Sequence, residues 1–362
     1  MPNTIRILAK TKKKWSITLL LLLSLLWFSP SVGAEEGELN FYVTPEFPES
    51  QVEGKLNYFD IQGQPGSTHT LRLKLQNIRE EEAVIQITPH TAFTNVLGVV
   101  EYGKNADEAD SSLKYGMDTL IETPEPIILA GKETKTITLE LHMPAESFEG
   151  FLAGGLRIEE VTPEEEQTPI EQEGVAIQNE FVYVVAVLAS NDRSSVQPDL
   201  ALLDVFADQL NYRNVISANL QNFMPTFVNQ LAVEATVHKV GEEDPLYEAQ
   251  QEQMQMAPNS NFNFPISLEG DRFQSGEYLL KLRATAGKEE WSWEETFIIE
   301  ADEAQALNRA DVTIDTSINW WMIGGIIVIL LLLVLTVWLY LKQKRTNHKT
   351  VCFVRRSKGE WD

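Results

Sequence analysis

The strongest constraint on the fold is an alternation of apolar and polar residues with a period of two. Successive side chains of a β-strand point to opposite faces, so this alternation predicts half-buried antiparallel strands. No stretch before residue 320 has the pattern of a long amphipathic helix. The apolar positions of four alternating stretches are Leu71, Leu73 and Leu75; Ile137, Leu139 and Leu141; Leu231, Val233, Ala235 and Val237; and Tyr278, Leu280, Leu282 and Ala284.

Other segments indicate how these strands are arranged. The run FVYVVAVLAS, which starts at Phe181, is almost entirely apolar and predicts a central strand covered on both faces. Clusters of turn-forming residues separate the strands, as in QGQPGS, ILAGKE and LEGDRFQSGE. Short strands with frequent turns are typical of a β-sandwich.

The chain is long enough for two sandwiches, each with its own core. The polar stretch SNDRSSVQPD separates two apolar runs, and we place the boundary there, with a first domain over 35–190 and a second over 191–302. The acidic insert VTPEEEQTPIEQEG, at 161–174, is interpreted as an exposed loop of the first domain. The predicted fold is all-β, with two immunoglobulin-like β-sandwich domains followed by a single transmembrane helix.

Both ends of the chain carry membrane-related patterns. Lysines at 12–14 precede a short apolar run and small residues, which predicts a signal peptide over 1–34. Residues 320–341 are apolar, uncharged and long enough to span a bilayer. The basic tail at 342–362 predicts a cytoplasmic C-terminus and therefore a single-pass type I protein of the cell membrane, with 303–319 as a juxtamembrane linker.

Charge narrows the range of partners. The region between the predicted leader and the predicted span has 17 basic and 51 acidic residues, a net charge of −34. Such a surface repels nucleic acid, because Lys and Arg supply most of the affinity for phosphate. Two interpretations stay open, since the charge either keeps the protein soluble or attracts a basic partner.

The only cysteine, Cys352, lies in the predicted tail, so the predicted ectodomain has no disulfide. Exported eukaryotic domains of this size usually contain several, so the composition favours a bacterial, Gram-positive cell-surface protein. The sequence has no nucleophile elbow, no phosphate-binding glycine loop and no H-E-x-x-H, and its five histidines lie far apart. We expect no enzymatic activity, cofactor or metal. Calcium at Glu164–Glu166 is conceivable, but these glutamates lack the alternating spacing of calcium ligands.

Two aromatic pairs are candidates for ligand binding. In NFNFPI, Phe262 and Phe264 share one face of a predicted strand, and Pro265 places that strand at an edge or a bulge. The rings either fill the core or, if exposed, dock a partner. In MPAESFEGFLAGGL, the glycines either allow a close backbone approach or form a flat surface for a glycan, with Phe148 or Phe151 as a stacking platform.

Several segments together resemble the WxL-interacting proteins of low-GC Gram-positive bacteria. Four segments resemble the first domain of that family: NYFDI at 57–61, AFTNVLGVVEY at 92–102, SLKY at 112–115 and MPAESFEGFLAGGL at 143–156. Four later segments resemble its second domain: MAPNSNFNFPI at 256–266, then SGEYLL, EWSWEETF and ALN at 306–308. With the span and the basic tail, the resemblance covers nearly the whole chain.

This resemblance implies a peptidoglycan-binding first domain, a host-binding second domain and secreted WxL-domain proteins as partners. It implies no catalytic residues. The predicted function is a non-enzymatic cell-surface scaffold that binds WxL-domain proteins and cell-wall peptidoglycan or host extracellular matrix. The alternative is a membrane-anchored, chaperone-like assembly factor for exported surface proteins, which would offer an exposed edge strand to its client.

Overall fold

A computed structural model describes residues 40–52, 57–161, 181–314 and 320–356. The predicted signal peptide and the glutamates at 164–166 lie outside the described residues. Within these ranges the chain is all-β, with two sandwiches and a C-terminal apolar helix, which confirms the predicted fold class.

The first sandwich consists of two sheets. The smaller sheet has the order β1-β3-β8, with β1 at Phe41–Glu46, β3 at Thr68–Asn77 and β8 at Thr134–His142. The larger has the order β2-β10-β9-β4-β7, with β2 at Phe59–Gln62, β4 at Ala83–Thr91, β7 at Ile127–Leu129, β9 at Leu152–Glu160 and β10 at Val182–Ser190. Between β4 and β7 the chain forms a short ribbon and one helical turn: β5 at Phe93–Thr94, β6 at Val100–Glu101 and α1 at Met117–Leu120.

The second sandwich is also built from two sheets. Its smaller sheet has the order β11-β12-β15, with β11 at Leu200–Leu210, β12 at Arg213–Asn222 and β15 at Ser260–Ser267. Its larger sheet has the order β14-β13-β16-β17, with β13 at Val228–Lys239, β14 at Tyr247–Met256, β16 at Gly276–Ala286 and β17 at Glu289–Ile299. All pairs in this sandwich are antiparallel.

The alternating stretches form the cores, as predicted. Leu71, Leu73 and Leu75 of β3 are fully buried, while Arg72 and Lys74 between them are exposed. Burying one such apolar side chain contributes about 1.5–3 kcal/mol. Every other alternating position named above is buried except Ile137, which is half-buried and packs against the first core. Each sandwich therefore has its own hydrophobic core.

Strand β10 differs from its prediction. It lies inside its sheet, between β2 and β9, but β2 pairs only with the last part of the strand, from Val187 to Ser190. On its outer face Val182 and Val184 are 36% and 46% exposed. The prediction of a strand covered on both faces is therefore wrong, because its outer face has no covering layer at its N-terminal half among the described residues.

Two helices follow the last strand. Helix α2, Ala301–Ala310, packs on the second core through Ala304 and Leu307, so the predicted linker at 303–319 begins inside a folded element. Helix α3, Trp320–Arg356, continues beyond the predicted end of the span at 341. Its segment Ile323–Lys342 is long and apolar enough to cross a membrane.

Candidate functional site at the domain junction

The two sandwiches meet through a buried polar network centred on Asp110. This residue lies in the first-domain segment between β6 and α1 and is 7% exposed. The Gln221 side chain donates to both of its carboxylate oxygens, at 2.8 and 3.1 Å, and Asn261 Nδ2 donates to Oδ2 at 2.6 Å. Ser112 donates to Oδ1 through both its backbone nitrogen and its hydroxyl. A first-domain carboxylate thus holds two strands of the second domain.

These contacts explain the pKa of Asp110. Burial raises the pKa of this carboxyl, but hydrogen bonds from Asn261, Ser112 and Gln221 stabilise the charged form and together outweigh burial. The net effect is a pKa below the usual value. Asp110 is therefore a charged structural acceptor at neutral pH.

The turn before β15 makes a second set of polar contacts across the junction. Thr94 Oγ1 lies 2.7 Å from Ser260 Oγ and accepts a hydrogen bond from the backbone nitrogen of Ala257 at 3.0 Å. Asn259 Nδ2 donates to the backbone oxygen of Ser112 at 3.2 Å. The segment MAPNSNFNFPI, which carries the family resemblance, is thus part of the domain junction.

Apolar contacts form another part of the junction. Ala92, Val100 and Ala153 of the first domain form one buried cluster with Ala257 of the second. At Gly150, which has φ of 70°, an added Cβ would lie 1.9 Å from the backbone oxygen of Pro225. Glycine is therefore required there by the approach of the second domain as well as by its own conformation.

The structure places the four candidate aromatic residues in different environments. Phe262 and Phe264 are 3% and 1% exposed within the second core, although β15 is an edge strand as predicted. Their rings are inaccessible to a partner, so they belong to the core. Phe148 is half-buried against the first core. Phe151 lies 6.3 Å from the Phe227 ring across the junction, measured between ring centroids.

The glycines of the first candidate segment permit a close backbone approach. An added Cβ at Gly154 would lie 2.3 Å from the His90 backbone oxygen, and one at Gly155 would lie 2.5 Å from that of Tyr102. Both glycines are buried. They are therefore covered by the chain itself and offer no flat surface to a glycan.

An open groove crosses the junction at the ring of Phe227. We call it the junction groove. It encloses about 340 Å³ and is lined by Tyr58, Tyr102, Ala186, Leu188, Phe227, Asn229 and Gln255. Burial and the nearby Tyr58 phenol raise the pKa of Tyr102, so its hydroxyl is protonated at neutral pH. Gln255 Nε2 donates to Asn229 Oδ1. Sequence analysis missed this groove because its residues come from distant parts of the chain.

A second cavity of about 170 Å³ lies where the first-domain segment 91–118 meets Asn259, Ser260 and Asn261. Two of its three acidic side chains are engaged internally: Asp118 accepts hydrogen bonds from Thr91 and Asn105, and Asp110 is held as described above. Among the described residues, no three His, Cys, Asp or Glu side chains are placed to hold a metal ion. The cavity is a polar part of the junction.

Fold and junction together define a protein with two sandwiches that pack against each other, followed by an apolar helix long enough to cross a membrane. The model for the peptidoglycan-binding domain of WxL Interacting Protein matches residues 41–160, and the model for the host-binding domain of the same family matches 172–309. The chain therefore belongs to the WxL-interacting protein family, and its two domains give it a surface binding role.

The family models divide the chain between 160 and 172, whereas β10 pairs with first-domain strands. The domain limits of 35–190 and 191–302 thus stay a prediction.

Solved structures show only a distant likeness. The class 5 fimbriae chaperone CfaA is 13% identical, with 72% of this chain and 100% of that chain covered and a TM-score of 0.28. The E. coli chaperone DraB is 12% identical, with 72% and 98% covered and a TM-score of 0.26. A PapD-like domain of human CEP192 is 10% identical, with 43% and 87% covered and a TM-score of 0.25. No curated protein matches the chain.

Proposed function

We propose that this protein is a non-enzymatic scaffold of the Gram-positive cell surface. Its C-terminal helix anchors it in the membrane with both sandwiches outside and the basic tail in the cytoplasm. The ectodomain associates with WxL-domain proteins and binds peptidoglycan and host extracellular matrix. The observation that carries this proposal is that two binding-domain families occur in one chain and are packed together by a buried junction.

The chemistry of the junction supports a binding role over a catalytic one. Asp110, the most enclosed carboxylate there, accepts hydrogen bonds from neighbouring side chains and is held in its charged form. A general acid or base needs a pKa close to the working pH, and the pKa of Asp110 is shifted the opposite way. This carboxylate stabilises the arrangement of the domains.

The proposed partners are tested by a pull-down with the full chain. The chain is purified in mild detergent through a C-terminal tag and incubated with native cell-wall extract. We expect WxL-domain proteins, identified by mass spectrometry, to remain bound through washing and size-exclusion chromatography. An unrelated single-pass membrane protein with the same tag is the control. Loss of these proteins during washing would favour the chaperone-like alternative, and their complete absence would overturn the proposed partnership.

The proposed orientation needs a separate experiment. Protease added to wall-stripped cells is expected to remove both sandwiches and to leave the tail with Cys352 protected by the membrane. An antibody against a tail tag detects the protected fragment, and permeabilised cells serve as the control. Sandwiches that survive in intact cells but are digested in permeabilised cells would reverse the proposed topology.

A further inference from the structure

The junction groove has a lining that differs from the rest of the molecule. None of its seven residues carries a charge, in a chain with 53 acidic and 29 basic residues. Neither a cationic nor an anionic ligand would form an ion pair with these lining residues, and a cationic ligand would be attracted to the acidic side chains elsewhere on the surface. The lining therefore favours a neutral ligand.

The groove combines aromatic rings with amide side chains. Tyr58, Tyr102 and Phe227 offer apolar ring surfaces, while Asn229 and Gln255 offer hydrogen-bonding groups. Within the described part of the chain, the bond from Gln255 Nε2 to Asn229 Oδ1 leaves the Asn229 nitrogen and the Gln255 oxygen available. A ligand that fits has apolar faces and a polar rim of both donors and acceptors, which describes a sugar ring with hydroxyl and acetamido substituents.

The exposed face of β10 extends this surface. Val182, Val184, Ala186 and Leu188 share that face because side chains alternate along a strand, and the last two also line the groove. Val184 reaches the Tyr102 end, since a Cβ added at Gly103 would lie 3.0 Å from its methyl group. From Val182 to Leu188 the strip measures about 20 Å at roughly 3.3 Å per residue. The surface is thus elongated and suits a linear polymer.

We propose that the junction groove and the β10 strip bind the glycan strand of peptidoglycan as a neutral chain of N-acetylated sugars. This inference rests on the proposed peptidoglycan binding and deepens it. Tyr58 and Tyr102 lie in the region matched by the peptidoglycan-binding model, 41–160, whereas the β10 strip and the second-sandwich residues Phe227, Asn229 and Gln255 lie in the region matched by the host-binding model, 172–309. Both matched regions therefore contribute to the proposed site.

The test measures binding of the full chain in nanodiscs to purified peptidoglycan sacculi by co-sedimentation. Asn229→Ala and Tyr58→Ala remove one amide and one ring from the groove. Each is expected to weaken binding about five- to tenfold, the effect of one lost hydrogen bond or aromatic contact. Gln250→Ala and Tyr42→Ala are matched controls, since both residues are exposed and neither lines the groove. Equal melting temperatures show that each variant is folded.

The outcomes separate this inference from the proposed function. If the wild-type chain does not sediment with sacculi, proposed peptidoglycan binding and the groove assignment both fail. If it sediments and the two groove variants bind as tightly as the controls, peptidoglycan binding stands and the groove assignment is overturned.

Competition identifies the part of peptidoglycan that is bound. A soluble tetramer of N-acetylglucosamine is expected to displace the wild-type chain from sacculi, whereas a free stem pentapeptide is not. Displacement by the peptide alone would contradict a neutral glycan ligand. Binding of the same tetramer should slow amide hydrogen exchange in β10 and at residues 227–229. Slower exchange only in other segments would place the binding site there instead.

Discussion

At the scale of single residues, Asp110 is the centre of the buried polar network at the junction. It is the acceptor for Gln221 on β12 and Asn261 on β15, so one carboxylate fixes the first domain against two strands of the second. These residues are 111 and 151 positions away along the chain. Alternation places Asn261 on the face of its strand opposite Phe262 and Phe264, but no local pattern reveals a partner at such a separation.

Asp110→Asn tests this contact. The variant keeps the shape of the side chain but turns one acceptor into a donor that faces the Gln221 and Asn261 amides. Leaving buried polar groups unpaired costs about 1–3 kcal/mol each, so we expect the junction to loosen. Differential scanning calorimetry should show a lower melting temperature or a separated transition. Asp107→Asn, at an exposed position of the same segment, is the control. Identical traces for both variants would contradict the role of Asp110.

The pH dependence of the junction has a defined sign. Because the folded pKa of Asp110 lies below its usual value of 3.8, its ionisation stabilises the folded state at neutral pH. That contribution is present above about pH 4 and is lost as the pH falls through the folded pKa. The stability difference between wild type and Asp110→Asn, measured by urea unfolding, should therefore shrink below pH 4. A difference that grows towards acid would reverse the assigned sign.

At the scale of elements, periodicity predicted the strands and their buried faces but not the layers that cover them. Except for the half-buried Ile137, the residues of β3, β8, β13 and β16 that alternation assigned to one face are buried in the cores, because alternation is a local property of a strand. The apolar composition of β10 wrongly predicted two covered faces. Coverage of the outer face depends on where the second sandwich packs against it, which is at Leu188 and not at Val182 or Val184, and this placement is not encoded within the strand.

In helix α2, one side chain makes three hydrogen bonds that link the helix to the second sandwich. Asn308 Oδ1 accepts hydrogen bonds from Asn214 Nδ2 at 2.9 Å and from the Phe273 backbone nitrogen at 2.8 Å, and its own Nδ2 donates to the Phe273 oxygen at 2.9 Å. This explains the asparagine of the ALN segment, which the family resemblance assigned to the second domain although the predicted boundaries placed it in the linker at 303–319. The helix is therefore part of the second sandwich.

Asn308→Ala is expected to release helix α2. Removing three hydrogen bonds and leaving part-buried groups unpaired should cost about 1–3 kcal/mol of unfolding free energy. Hydrogen exchange of residues 301–310 should accelerate before the strands of the second sandwich open. Gln305→Ala, at an exposed position of the same helix, is the control. Equal exchange in both variants would show that the Asn308 side chain is not needed to hold the helix.

At the scale of the whole molecule, the chain carries two surfaces of different character. The surface outside the predicted span is strongly acidic, whereas the junction groove is neutral and partly apolar. Long-range attraction acts on charged partners, and contact chemistry decides the binding of neutral ones. The protein thus has the means to distinguish a basic protein partner from a neutral polymer, with different responses to salt.

Salt dependence tests this division. For a basic protein partner, attraction acts over the Debye length, which falls from about 10 Å at 0.1 M to about 3 Å at 1 M salt. Association measured by surface plasmon resonance, with the full chain in immobilised nanodiscs, should slow as salt increases, while dissociation changes little because steering acts on the encounter. The N-acetylglucosamine tetramer, as a neutral ligand, should bind equally well at both salt concentrations. An on-rate for the protein partner that is indifferent to salt would make the acidic charge a solubility device and place that docking site on an apolar surface. A salt-dependent affinity for the neutral tetramer would contradict the uncharged character assigned to the groove.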